Sequence, residues 1–165
     1  MANRALMVGI NEYPSCPLRG CLNDIQDMSN LLVDKFKWDH QDIRMLTDAR
    51  ATTSAIKERL AWLIAGAKDG DHLLFHYSGH GAQYPDRNNG EADKLNEVIV
   101  PYEFDWTPAH MIMDKEFHTL FSKIPKGATL TWISDSCHSG DLSKALPKFK
   151  KGGWFRKAPD IRAKT

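Results

Sequence analysis

A chain of 165 residues, 42% hydrophobic and 26% charged, has the size and balance of one soluble domain built around a single core. It contains no apolar run near the roughly 20 residues of a membrane span, and the opening MANRALMVGINEY lacks a leader's cleavage pattern, so membrane and secretory roles are not expected. Three cysteines without framework spacing point to free thiols in a reducing compartment, with the cytoplasm expected.

The elements follow in order. ALMVGI (5–10) is a short continuous apolar run and predicts a buried strand. Leu22, Ile25, Met28, Leu32 and Phe36 recur at helical spacing and predict an amphipathic helix. IRMLT (43–47) is a second strand, and Thr52, Thr53 and Ser54 offer N-caps for a helix with Ile56, Leu60, Leu63 and Ile64 on one face. After the turn KDGD comes a third strand, HLLFHYS (72–78), then a polar, turn-rich stretch (82–95) read as a loop. NEVIVPY (96–102) predicts a short edge strand ended by Pro101. Asp114 is placed as the cap of a helix carrying Phe117, Leu120, Phe121 and Ile124, and ATLTWIS (128–134) is the last core strand. Strands alternating with helices predict an α/β fold, a mostly parallel sheet flanked by helices on both faces. Residues 1–141 form the expected main domain, and periodicity fails in 142–165, read as a basic linker or tail. Residues 141–165 hold eight Lys/Arg against two Asp/Glu, whereas 1–140 hold fourteen against nineteen. One aromatic pair, Trp154-Phe155, makes that tail a poor nucleic-acid platform, so neither nucleic acid nor membrane is an expected partner.

Two apolar runs end alike. LLFHYSGHG (73–81) closes on His80 between two glycines, and TLTWISDSCHSGD (129–141) closes on Cys137. In α/β sheets functional groups gather beyond the carboxyl ends of the strands, so neighbouring strands would bring imidazole and thiol together. A thiol, a nearby base and backbone donors for an oxyanion, placed near Gly81 and Cys137, make the minimal kit for acyl transfer. His138 should point away from its neighbour's side in extended backbone. His72, His76 and His80 would share a metal-binding face only in a helix; along a strand, residues four apart are separated by about 13 Å. Asp135, two residues before Cys137, would oppose thiolate formation. A cationic substrate side chain accounts for it, since opposite charges about 4 Å apart attract by roughly 4 kcal/mol at an effective dielectric near 20.

With these pieces in place the sequence resembles the metacaspases, caspase-like cysteine peptidases, through ALMVGI, LRGCLNDI, HYSGHG and DSCHSG in that order over roughly residues 4–141. The resemblance implies a caspase-like fold, a Cys137–His80 dyad, and cleavage of protein or peptide substrates after Arg or Lys. It implies a pocket for that basic side chain lined by Cys21, Asp24, Ser78 and Asp135. It also implies calcium activation, for which Asp86, Glu91, Asp93, Glu97 and Asp105 supply carboxylates. Family members carry a further small-subunit region that nothing after residue 141 resembles, so the expectation is a fragment, a shorter family member, or a chain cleaved from a small-subunit-like partner, with Lys150, Lys151 and Arg156 as the autoprocessing sites. The competing reading is a catalytically silent caspase-like module acting through protein contacts.

Overall fold

The computed structural model describes residues 1–85 and 95–138, with the backbone alone at 85, 95, 137 and 138. Its strands are β1 (Asn3–Gly9), β2 (Ile43–Thr47), β3 (His72–Pro85), β4 (Leu95–Ile99), β5 (Ile112–Met113) and β6 (Thr129–His138), and its helices are α1 (Cys21–Asp34), α2 (Thr53–Ile64) and α3 (Asp114–Phe121). The sheet order is β2-β1-β3-β4-β5, with β6 also paired to β3. Pairings of β1 with β2, β1 with β3 and β3 with β6 are parallel. The β3–β4 and β4–β5 pairings are antiparallel.

Strand alternation divides β3 between two layers. Leu74, with Ala5 and Met7 of β1, packs against Ile25 and Leu32 of α1. Leu73, Phe75 and Tyr77 face the larger cluster, which includes Leu6, Val8, Ile56, Leu60, Leu63 and Phe117. Helices therefore cover both faces, and Ala5 to Val8 are fully buried because β1 is flanked by strands and covered above and below.

Thr52 caps α2, its hydroxyl accepting from Ala55 N–H at 3.2 Å. The start of α3 departs from expectation. Asp114 is its first helical residue, and the carboxylate of Glu116 reaches back to accept from Met113 N–H at 2.9 Å. Helix α1 ends at Asp34, so Phe36 lies past it and is 63% exposed rather than on the apolar face.

Two larger differences bear on the site. The third strand does not stop at Ser78: it continues through the glycines to Pro85 and forms a hairpin ladder with β4, so 82–85 is strand, not loop. Likewise β6 runs through His138, placing Cys137 within the ladder rather than beyond it. Gly79 and Gly81 lower local strand propensity, but pairing of both with β6, and of Gly81 also with β4, overrides it. Nor is β4 the sheet's edge, because β5 pairs along its other side. The segment 142–165 lies outside the described residues, as do Asp86, Glu91, Asp93, Lys150, Lys151 and Arg156. Among the described residues no helix is long and apolar enough to cross a membrane.

Candidate active site

Parallel pairing of β3 with β6 sets Ile133 beside His76, Asp135 beside Ser78 and Cys137 beside His80. Paired positions of parallel strands share a face at about 4.8 Å, so His76, Ser78, His80, Asp135 and Cys137 all belong to the face that carries α1. Lower on this face β3 contributes Leu74 to the core under α1, and toward the carboxyl end it turns polar. That change of character marks the end of the core and the start of a site.

The imidazole of His80 is held from above. The chain leaving β1 (residues 10–20) folds over the sheet end, and the Cys16 carbonyl lies 2.7 Å from His80 Nε2. A carbonyl only accepts, so Nε2 carries the proton and donates, leaving a lone pair on Nδ1. Nδ1 is buried and has no hydrogen-bond partner among the described residues. Burial pushes the His80 pKa below the ordinary histidine value, the Cys16 carbonyl opposing this in part. At neutral pH the ring is therefore an uncharged base with an unprotonated Nδ1.

Its backbone is held as firmly. Tyr13 accepts from His80 N–H at 3.0 Å, donates to the Val100 carbonyl at 2.9 Å and lies 3.1 Å from the Tyr77 hydroxyl. Tyr77 in turn donates to the His80 carbonyl. The Tyr13 ring packs on the imidazole, centroids 4.6 Å apart. A Cβ on Gly79 would stand 2.5 Å from Tyr13 Oη and 2.7 Å from Tyr77 Oη, so this position admits only glycine without displacing the pair. Burial raises both phenol pKa values above the ordinary range, so both tyrosines remain neutral hydrogen-bonding groups.

Cys21 and Asp24 sit one turn apart at the start of α1, after Gly20 at φ 97°. The Ser78 hydroxyl donates to Asp24 Oδ2 at 2.9 Å. Asp24, Ser78 and Asp135 thus meet on one face, Ser78 almost fully buried and Asp135 exposed, with buried Cys21 on the same helical turn as Asp24. His76 lies one rung below. Burial lowers its pKa, while the charges of Asp24 and Asp135 both reach it and oppose the shift.

The remaining expected residues are placed as follows. Gly81 is inside β3, between Ile99 of β4 and His138 of β6. Glu97 is on β4 opposite Gln83. Asp105 accepts from the Thr107 amide and hydroxyl at 2.9 and 2.6 Å and lies 2.8 Å from His110 Nδ1, contacts that hold its pKa at about 2. Among the described residues no three His, Cys, Asp or Glu side chains are grouped to hold a metal. Tyr13, Tyr77 and the Cys16 carbonyl were not legible beforehand. A buried tyrosine in a polar, proline-containing loop was the available signal for Tyr13, and a carbonyl leaves no signal at all.

The model of the metacaspase peptidase C14 domain matches residues 3–145 of this sequence. The chain belongs to the metacaspase family. It is 40% identical to Metacaspase-1 of Cryptococcus neoformans over 98% of its own length and 36% of that protein. To Metacaspase-7 of Arabidopsis thaliana it is 41% identical over 86% of its length and 36% of the relative. A crystal structure of a Geobacter sulfurreducens protein superposes with a TM-score of 0.71 at 26% identity, covering 88% of this chain and 54% of that one. This metacaspase chain therefore spans about a third of the curated relatives it matches. Membership agrees with the caspase-like α/β fold and with the cysteine-peptidase class.

Proposed function

We propose that this chain is the large-subunit-like part of a cysteine endopeptidase that cleaves after Arg or Lys. The observation that carries the reading is the pairing of position 137 with His80, whose ring is tied through Nε2 and whose buried Nδ1 has no hydrogen-bond partner among the described residues. In this reading Cys137 attacks the scissile carbonyl and its proton passes to His80 Nδ1. That imidazolium then protonates the leaving amine, and water, deprotonated by the same nitrogen, releases the acyl group. Backbone amides near Gly81 and Cys137 stabilise the oxyanion. Asp24 and Asp135 take the basic side chain, Ser78 orienting the first of them and Cys21 closing the wall. A neutral His76 beneath them leaves the pocket's negative charge uncancelled.

Partner and cofactor belong to the same proposal. Among the described residues β6 has a strand on one side only, and Trp132 on it is 38% exposed, which supports a small-subunit-like chain pairing along the other side. Calcium is proposed as an activator bound through the acidic stretch containing Asp86, Glu91, Asp93 and Glu97; Asp105 is already engaged by its own turn. The free thiols Cys16 and Cys21 accord with a reducing, cytoplasmic setting.

Initial rates on fluorogenic peptides ending in Arg, Lys or Asp, with and without millimolar calcium and beside Cys137→Ala, test this. Turnover of the Arg and Lys peptides alone, abolished in the variant, is expected. Turnover that survives in Cys137→Ala overturns the mechanism, and preference for Asp overturns the pocket. If no peptide turns over, an arginyl electrophile that labels Cys137 supports the need for a partner chain, and its failure supports the silent module.

A further inference from the structure

Among the described residues no carboxylate is hydrogen-bonded to the His80 imidazole; the Cys16 carbonyl fixes its tautomer. That carbonyl belongs to a loop with little reason of its own to stay put. Between residues 11 and 20 the one buried side chain is Tyr13, and the rest are half-buried or exposed. An orienting acceptor is only as well placed as its loop, so the loop's attachments become part of the chemistry.

Two attachments stand out. Asp48 lies just beyond β2 with φ 45°, a left-handed conformation tolerated by Asp at some cost. There its Oδ1 accepts from Asn11 N–H at 2.7 Å and from Glu12 N–H at 2.9 Å, stapling the root of the loop. Asn11 closes the loop on itself, its carbonyl accepting from Leu18 N–H at 2.7 Å and its side-chain oxygen from Cys21 N–H at 2.9 Å. Tyr13, one residue past the staple, delivers the second attachment to the backbone and ring of His80.

We infer that Tyr13 and Asp48 are positioning residues for His80: Asp48 anchors the loop over the sheet end, and Tyr13 clamps the histidine so that the Cys16 carbonyl keeps the proton on Nε2 and Nδ1 open toward position 137. This rests on the dyad reading. It assigns to a tyrosine and a remote aspartate, acting through a backbone carbonyl, the orienting work a carboxylate does in a triad.

The test is the rate of Cys137 alkylation by iodoacetamide against pH in the full chain, resolved by peptide mass spectrometry with Cys16 as internal reference. It needs neither substrate nor partner. Tyr13→Phe should slow Cys137 alkylation by about tenfold or more, within the contribution expected of a positioned base, and move the acidic limb of the profile upward as His80 regains its ordinary pKa. Leu32→Val, in the smaller core cluster that holds no residue of the loop, should leave the profile in place. Should Tyr13→Phe not fold, Asp48→Gly, which keeps the backbone conformation and removes the acceptor, is read the same way, and 15N shifts of the His80 ring in the unmodified chain should show a protonated Nε2 and an unprotonated Nδ1. A wild-type profile in both variants, or a ring protonated on Nδ1, overturns the inference. Wild-type Cys137 reacting like Cys16 at every pH overturns the dyad reading, and the inference falls with it.

Discussion

Asp24 and Asp135 approach the same face from different directions, one from the first turn of α1 and one from β6, with Ser78 between them. Two carboxylates there favour a cation more than one would, and under the proposed specificity a guanidinium bound between them would be partly desolvated. Asp135→Ala is expected to cost roughly 2–5 kcal/mol in kcat/KM toward Arg peptides. The check is the ratio of that loss to the alkylation rate of Cys137, which should not fall; equal losses in both would place Asp135 in the dyad's support instead. Gly79 carries a second prediction at this scale. A methyl group there must displace Tyr13 or Tyr77 hydroxyls, so Gly79→Ala should destabilise the fold by about 1–3 kcal/mol, seen as a lower thermal midpoint. An unchanged midpoint would mean the tyrosine pair yields freely.

Among the elements, α3 shows which contacts matter. Phe117 stacks against Phe75, Phe121 and Trp132 at centroid distances of 5.6, 5.8 and 4.7 Å, tying the helix to β3 and β6. Phe117→Ala should cost about 3–5 kcal/mol, followed by urea unfolding. Lys57–Glu116, at 2.6 Å but 44% and 40% exposed, joins α2 to the same helix and should contribute under about 1 kcal/mol. A double-mutant cycle on that pair giving more would overturn this ranking. The helices were legible in advance because apolar residues at 3.6 spacing and a Thr cap are local signals. The length of β3 was not. HYSGHG reads locally as a turn, and only ladders to β4 and β6 hold it extended.

For the molecule as a whole, pH sensitivity follows from two buried histidines on one face. His76 and His80 have lowered pKa values when folded, so below about 6.5 the unfolded chain binds protons that the folded chain refuses. Stability is complete above that pH and declines as pH falls through it toward the lowered folded values. Asp71 and Asp105, both lowered, add their losses only in the more acidic range below about 4. Urea unfolding between pH 8 and 5 should show this slope, and His76→Gln should flatten it; an unaltered slope would exclude His76 as a source.

The sequence alone determined the order of the helices and longer strands, the apolar faces of the helices, the two strands that lead into His80 and Cys137, and the family those motifs mark. These are properties of residue type and short-range spacing. Only the tertiary structure decided that the β3–β6 register pairs position 137 with His80 rather than one step away. It also decided that Asp24 on α1 meets Ser78 on β3, and that a loop carbonyl at Cys16 orients the histidine. Register, interlayer contact and backbone acceptors arise between segments tens of residues apart, and no local pattern encodes them.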